Sequence, residues 1–193
     1  MTEAPCGPLR ANSSVAAVIL AAGASARFGS PKQLARVGER TMLEMVVAIA
    51  RVADLDPVLA VVPAGLAVPA EAVAVPNAEP ELGMSHSLHL GIGALPPEVN
   101  AAVILLGDQP TLPVASVRAI VAARGARPII AASSDGLALP PVLIERSAFG
   151  IVGGLEGDIG LREIIRSDPE LVHTVNLETA SPDVDTPADL ERL

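Results

Sequence analysis

The sequence predicts an α/β fold built on a mostly parallel sheet with helices on both faces. Two observations lead there. The strand-like segments are continuous apolar runs rather than alternating ones, so each strand buries both faces. They are separated by segments with apolar residues at helical spacing, the order that yields strand–helix–strand crossovers. The length, 193 residues, suits one domain with a sizeable core. Residues 1–14 read as a flexible tail and 15–193 as a single domain.

The elements follow in chain order. Val15–Ala21 is a buried strand that runs into a glycine-containing loop. Thr41–Val52 carries Met42, Met45, Val46 and Ile49 at helical spacing. Pro57–Val62 is a second buried strand, stopped by Pro63, and Val73–Val75 is a short third. Ser85–Leu95 is helical, Ala101–Leu106 a central strand, and Pro113–Ala123 a helix with proline near its first turn. Pro128–Ala132 is a strand, Asp158–Ser167 a helix ended by Asp168-Pro169, Leu171–Val175 a strand, and Pro187–Leu193 a closing helix. The stretch from Gly136 to Gly157 carries no clear periodicity.

Composition narrows the function. Half of the residues are apolar, yet only Phe28 and Phe149 are aromatic. So few aromatic platforms disfavour base stacking, and a formal net charge of −9 opposes binding to nucleic acid. Cys6 is the sole cysteine, so neither a disulfide framework nor a cysteine metal site is expected. No apolar run approaches the length of a membrane span, and the first 14 residues lack the core of a signal peptide, so a cytoplasmic protein without membrane contact is expected.

The basic residues are unevenly chosen: twelve arginines and one lysine. That lysine, Lys32, closes the loop that follows the first strand, Leu20-Ala21-Ala22-Gly23-Ala24-Ser25-Ala26-Arg27-Phe28-Gly29-Ser30-Pro31-Lys32. A loop of backbone N–H groups with two cations at a strand end is a device for holding phosphates. Lysine is a compact point charge and arginine a planar fork, so the choice between them carries meaning. The loop lacks the Gly-Lys-Ser/Thr ending of a P-loop and the G-x-G-x-x-G of a dinucleotide site. The second absence disfavours an NAD-dependent oxidoreductase.

Three other segments bear on chemistry. Asp108 follows Val103-Ile104-Leu105-Leu106-Gly107 at the tip of the central strand, where a carboxylate can hold a divalent cation beside a triphosphate. A turn or capping aspartate before Pro110 is the plainer alternative. In Asp183-Val184-Asp185-Thr186-Pro187-Ala188-Asp189, Thr186 reads as an N-cap, Pro187 as the first helical residue and Asp189 as the capping-box partner. Asp185 is left over as a second carboxylate for the metal, and Asp183 either supports the site or is simply solvated. Gly83-Met84-Ser85-His86-Ser87-Leu88 opens a helix, which suits anion or base-edge recognition, or else plain N-capping by Ser85. His86 and His89 can share a helix face, but two imidazoles do not make a metal site.

Together these segments resemble one family. Residues 20–32 are similar to the signature loop of the nucleotidyltransferases that include the molybdenum cofactor cytidylyl- and guanylyltransferases. The resemblance continues through Gly83-Met84-Ser85-x-Ser87-Leu88, Leu106-Gly107-Asp108-Gln109-Pro110, Pro140-Pro141-Val142-Leu143, Gly157-Asp158-x-Gly160 and Asp183-Val184-Asp185-Thr186-Pro187. It spans residues 15 to 193 in the family's order. The chain departs from the common pattern at Gly160-Leu161-Arg162, Leu139-Pro140-Pro141 and Ile144, all in the acceptor region.

The resemblance implies a three-layer Rossmann-like nucleotidyltransferase fold and transfer of CMP from CTP to a molybdopterin-type phosphate monoester, with release of pyrophosphate. It implies magnesium at Asp108 and Asp185, and catalytic roles for Arg27, Lys32 and Asp108. Leu20, Ala21, Ala22, Gly23, Ala24, Ser25, Lys32, Gly83 and Ser87 would bind the nucleotide, with Gly83 and Ser87 facing the base. A molybdenum hydroxylase would be the recipient. CTP is expected over GTP because the related guanylyltransferases resemble Leu-Ala-Gly-Gly where this chain has Ala22, whose methyl would narrow the loop at the base. The alternatives are a guanylyltransferase, another NTP:phosphate-acceptor transferase, and a non-catalytic carrier of the molybdenum cofactor.

Overall fold

The computed structural model describes residues 14–23, 28, 31–134, 137–155, 157, 165–166, 168–177 and 183–192. Its core is a seven-stranded sheet in the order β5-β4-β1-β6-β8-β7-β9, formed by β1 (Val15–Leu20), β4 (Val58–Pro63), β5 (Val73–Asn77), β6 (Ala101–Leu106), β7 (Ile129–Ser134), β8 (Leu137–Glu145) and β9 (Val172–Asn176). The two-residue strands β2 (Arg36–Val37) and β3 (Arg40–Thr41) make a separate hairpin. Every strand of the large sheet runs parallel except β8, which is antiparallel to both β6 and β7.

The apolar runs explain the layering. Ala17, Ile19 and Ala21 face one side, Val18 and Ala22 the other, and each side is a core. Helices α1 (Met42–Val52) and α3 (Val114–Ala122) cover the first side through Leu43, Val46, Val47, Val117 and Ile120. Helices α2 (Met84–Gly93) and α4 (Phe149–Val152) cover the second through Leu88 and Val152. Strand, helix and sheet order thus agree with the expected α/β class. Among the described residues no helix is long and apolar enough to cross a membrane.

Helix α1 begins as its sequence directs. Thr41 Oγ1 accepts from the Glu44 N–H at 3.2 Å, and the Glu44 carboxylate accepts from the Thr41 N–H at 2.6 Å. The hydrogen bond from the Thr41 backbone, then that from its hydroxyl, hold the Glu44 carboxyl below its ordinary pKa.

Strand β8 is the main departure from expectation. It is the longest strand, in a stretch without readable periodicity, and it contains Pro140 and Pro141. Prolines argue against an interior strand because they cannot donate to the ladder. Here the register with β7 shifts at Ala131/Ala132, pairing Val142 with Ala131 and Leu139 with Ala132, and the prolines fall within that irregularity. Val142, Leu143 and Ile144 are then buried between β6 and β7. Two smaller corrections concern α3, where Pro113 is the N-cap rather than the first helical residue, and β5, which extends to Asn77. The predicted helix Asp158–Ser167 lies largely outside the described residues.

Strand β1 lies between β4 and β6, and the chain turns outward in opposite directions from it. The carboxyl ends of β1 and β6 are therefore the topological switch point, where open α/β sheets bind ligands.

Candidate active site

Leu20 and Leu106 are the last paired residues of β1 and β6. Beyond them the Gly107 N–H donates to the Leu20 carbonyl at 2.9 Å. The two strand-end loops touch so closely that a Cβ on Gly107 would lie 2.7 Å from the Ala21 methyl. Only glycine fits there without a shift.

Two of the residues predicted to bind the nucleotide are engaged by the fold. The Ala21 N–H donates to the Val61 carbonyl at 2.8 Å, so it is committed to the sheet edge. Ala22 is only 2% exposed and belongs to the α2-side core with Val18, Leu88 and Ile104. Its methyl therefore packs against the core, which removes the steric argument that it narrows the loop at a base. Gly23 is exposed, with open space where a Cβ would stand. Ala24, Ser25 and Arg27 lie outside the described residues.

Lys32 opens a single 3-10 turn, Lys32–Leu34, that follows Pro31. Its Nζ donates to Asp108 Oδ2 at 2.5 Å and to Asp185 Oδ1 at 3.2 Å. The lysine singled out by composition and both carboxylates expected at the metal thus meet at one point. Burial works against the ammonium, but hydrogen bonds to Asp108 and then Asp185, with their charges, outweigh it and raise the Lys32 pKa above its ordinary value. Lys32 is therefore fully charged at neutral pH.

Asp185 is carried by a segment with no strand pairing, so other contacts fix it. The Val184 N–H donates to the Asp108 carbonyl at 2.9 Å, and the Val184 side chain is buried. Gln109 Nε2 donates to Asp183 Oδ1 at 2.8 Å. Burial of its carboxyl, reinforced by Asp108 and Asp185, raises the Asp183 pKa despite the Gln109 bond. Asp183 as a whole residue is exposed, so solvent screens these interactions. On the other side, Thr186 N and Oγ1 each donate to Asp189 Oδ2 at 2.8 Å, and the Asp185 N–H donates to the same oxygen at 3.2 Å. The cap read from Thr186, Pro187 and Asp189 is present, on the one-turn helix Pro187–Leu190.

The start of α2 contributes a third wall, and it differs from the simple capping alternative. Gly83 is the N-cap, at φ +90°, a conformation that favours glycine. Ser85 caps nothing: its N–H and Oγ both donate to the Gly157 carbonyl, at 3.1 and 2.8 Å. Ser87 Oγ accepts from Asn77 Nδ2 at 3.0 Å, and Asn77 Oδ1 accepts from the Glu79 N–H at 2.8 Å. Sequence inspection overlooks Asn77, and it quotes Gln109 only within its motif, without a role. Both are buried polar residues at the carboxyl end of an apolar strand, and that placement is the signal that finds them. His89 is accounted for structurally, with Nε2 bonded to the Val152 carbonyl between α2 and α4.

Among the described residues no group of three His, Cys, Asp or Glu side chains is arranged to hold a metal alone. A cation that shares its shell with substrate phosphates needs only one or two carboxylates. Asp108 and Asp185 fit that requirement. They already converge on one positive charge, and Asp108 Oδ1 is a buried carboxylate oxygen with no hydrogen-bond partner among the described residues.

A switch-point site with a loop lysine, a strand-tip aspartate and a second aspartate from the C-terminal segment defines a nucleotidyltransferase. The chain belongs to the MobA-like NTP transferase domain family, whose model matches residues 17–174. It is 33% identical over 116 residues to the purine catabolism protein PucB of Bacillus subtilis (strain 168); the match covers 58% of this chain and spans about half the length of that relative, 56%. Among solved structures it is similar to Rv0371c of Mycobacterium tuberculosis H37Rv, at 28% identity and TM-score 0.80, covering 93% of this chain and 96% of that one. A structure of Rv0371c complexed with manganese aligns at 26% identity and TM-score 0.76, covering 93% and 97%.

Proposed function

We propose that the chain transfers CMP from CTP to the phosphate monoester of a molybdopterin cofactor, releasing pyrophosphate, with magnesium as the metal and a molybdenum hydroxylase as the recipient. The observation that carries this reading is the meeting of Lys32 with Asp108 and Asp185 at the carboxyl ends of β1 and β6. The choice of CTP and of molybdopterin rests on the motif set from Leu20 to Pro187. The manganese complex of Rv0371c supports a divalent metal. The name of the Bacillus relative is compatible with a recipient that hydroxylates purines.

In this reading an oxygen of the acceptor phosphate attacks the α-phosphorus of CTP in line. The new P–O bond forms as the bond to the bridging oxygen breaks, and pyrophosphate departs with that electron pair. The protein's task is positioning and charge neutralisation. Asp108 and Asp185 would hold magnesium, which supplies positive charge against the triphosphate when bound. Lys32 exchanges its carboxylate partners for phosphate oxygens when the nucleotide enters. Its raised pKa keeps it cationic through that exchange. The start of α2, with Ser87 fixed by Asn77, faces the base.

Pyrophosphate release from each of the four NTPs, with and without molybdenum cofactor, tests the proposal. Release from CTP that requires the cofactor is expected. Preference for GTP would move the chain to the guanylyl branch, and binding of cofactor without any pyrophosphate release would make it a carrier.

A further inference from the structure

The nucleotidyl-transfer reading requires two carboxylates that the chain supplies from segments far apart in sequence. Asp108 has a strand behind it. Asp185 does not, and its segment meets the β6 tip through several contacts among the described residues. One is a main-chain bond, Val184 N–H to the Asp108 carbonyl at 2.9 Å, which almost any residue at 184 would make. Another is the Lys32 bridge, which the reaction itself must release when Lys32 turns to the phosphates. Packing of the buried Val184 side chain is a third, and a contact that is specific in side chain, polar and independent of substrate is Gln109 Nε2 to Asp183 Oδ1, at 2.8 Å.

The chemistry of that contact suits the task. Gln109 is 4% exposed, so its amide is placed by the surrounding turn rather than by solvent. Its own backbone is pinned on both sides, with N–H to the Leu106 carbonyl at 3.3 Å and C=O from the Leu112 N–H at 3.2 Å. A neutral donor can bind a third carboxylate here without competing for the cation between Asp108 and Asp185. An arginine or lysine at 109 would bring a second positive charge to that place.

We infer that Gln109 is a positioning residue: through Asp183 it holds the 183–185 segment so that Asp185 stays opposite Asp108 when Lys32 leaves them. The inference rests on the nucleotidyl-transfer reading. It concerns neither contact with substrate nor the choice of base.

The test is a double-mutant cycle with Gln109→Met, which keeps volume and removes the amide, and Asp183→Ala, at a position exposed enough to tolerate truncation. Manganese chloride is titrated into the full chain and free ion is followed by electron paramagnetic resonance. Pyrophosphate release is measured alongside at saturating metal. Each single variant is expected to weaken manganese binding by about tenfold, the usual size of an effect transmitted through a ligand's support. The double variant should be no weaker than the worse single one, because both changes remove the same bond. KM for the nucleotide at saturating metal should stay close to the wild-type value. Should Gln109→Met not fold, the Asp183→Ala variant still decides the matter. Unchanged manganese affinity in Asp183→Ala, or additive losses in the double variant, overturns the inference. If the wild type itself binds no manganese and releases no pyrophosphate, the functional reading falls too; if it does both while the variants match it, only the role of Gln109 falls.

Discussion

Two ion pairs lie near opposite ends of strand β6. At the amino end of β6, Arg124 grips Glu145 with Nε to Oε1 at 2.9 Å and Nη2 to Oε2 at 2.8 Å. At the carboxyl end, Lys32 bridges Asp108 and Asp185. The pairs Arg124–Glu145 and Lys32–Asp108 are nearly equal in exposure, 19% for Arg124, Glu145 and Lys32 and 18% for Asp108, although the second carboxylate, Asp185, is 43% exposed. Burial therefore does not separate a structural ion pair from a working one. The match of donors to acceptors does. The arginine fork satisfies both oxygens of Glu145 and leaves nothing over. The lysine is one point charge shared by two carboxylates, and among the described residues Asp108 Oδ1 stays buried without a hydrogen bond. A closed pair resists change, whereas an unsatisfied one is ready to exchange partners.

The comparison makes its strongest prediction about exchanging the two cations. Lys32→Arg is expected to lower kcat/KM by about 10²–10³, because a planar fork cannot move between carboxylate and phosphate as a point charge does. Arg124→Lys should keep kcat/KM within about twofold of wild type, since it changes only the grip on Glu145. Steady-state kinetics on both variants decide this, and equal losses in both would erase the distinction.

Next in size is Gly107→Ala. The added methyl would press on Ala21 and push the β1 and β6 loops apart, at a cost of about 1–3 kcal/mol in stability, with turnover reduced as well. Urea unfolding with pyrophosphate assays should show both losses together. Arg124→Ala, in contrast, should cost about 1–2 kcal/mol in stability with turnover intact, because it strands a partly buried Glu145 far from the reaction.

A smaller effect concerns affinity. Lys32→Met should tighten manganese binding in the absence of nucleotide, by roughly tenfold, because the two carboxylates lose their competing charge. Titration of the metal alone reads this out. Weaker binding in Lys32→Met would mean that the lysine assembles the site rather than holding its place.

The smallest effects follow pH. Lys32 has a folded pKa above 10.5, so its contribution is fully present below that value and is lost as pH rises through the raised one. Asp189 lies below its ordinary value of 3.8, chiefly through the Thr186 hydroxyl, so its contribution is present above that value and is lost as pH falls through the depressed one. Unfolding midpoints should therefore show an alkaline decline in wild type that is missing in Lys32→Met, and an acid decline that is shallower in Asp189→Asn.

Much of this is legible in the sequence. Runs such as Ala101–Leu106 read as strands buried on both faces, and the spacing of Met42, Met45, Val46 and Ile49 marks α1. Lys32 stood out because every other basic residue is arginine. What stayed hidden depends on direction and distance. Nothing in the order Leu20-Ala21-Ala22 says that the second alanine points into the α2-side core. Strand β8 hid because its prolines look like an interruption until the register shift beside β7 accommodates them. The Gln109–Asp183 bond joins residues on different segments, and no local pattern reports such a pairing.

The decisive measurement is pyrophosphate release from CTP with magnesium and molybdenum cofactor, run side by side on wild type, Lys32→Arg and Arg124→Lys. Release that depends on both magnesium and cofactor, lost in Lys32→Arg and kept in Arg124→Lys, is the predicted result. No release from any of the four NTPs by the wild type, or undiminished release by Lys32→Arg, would contradict it.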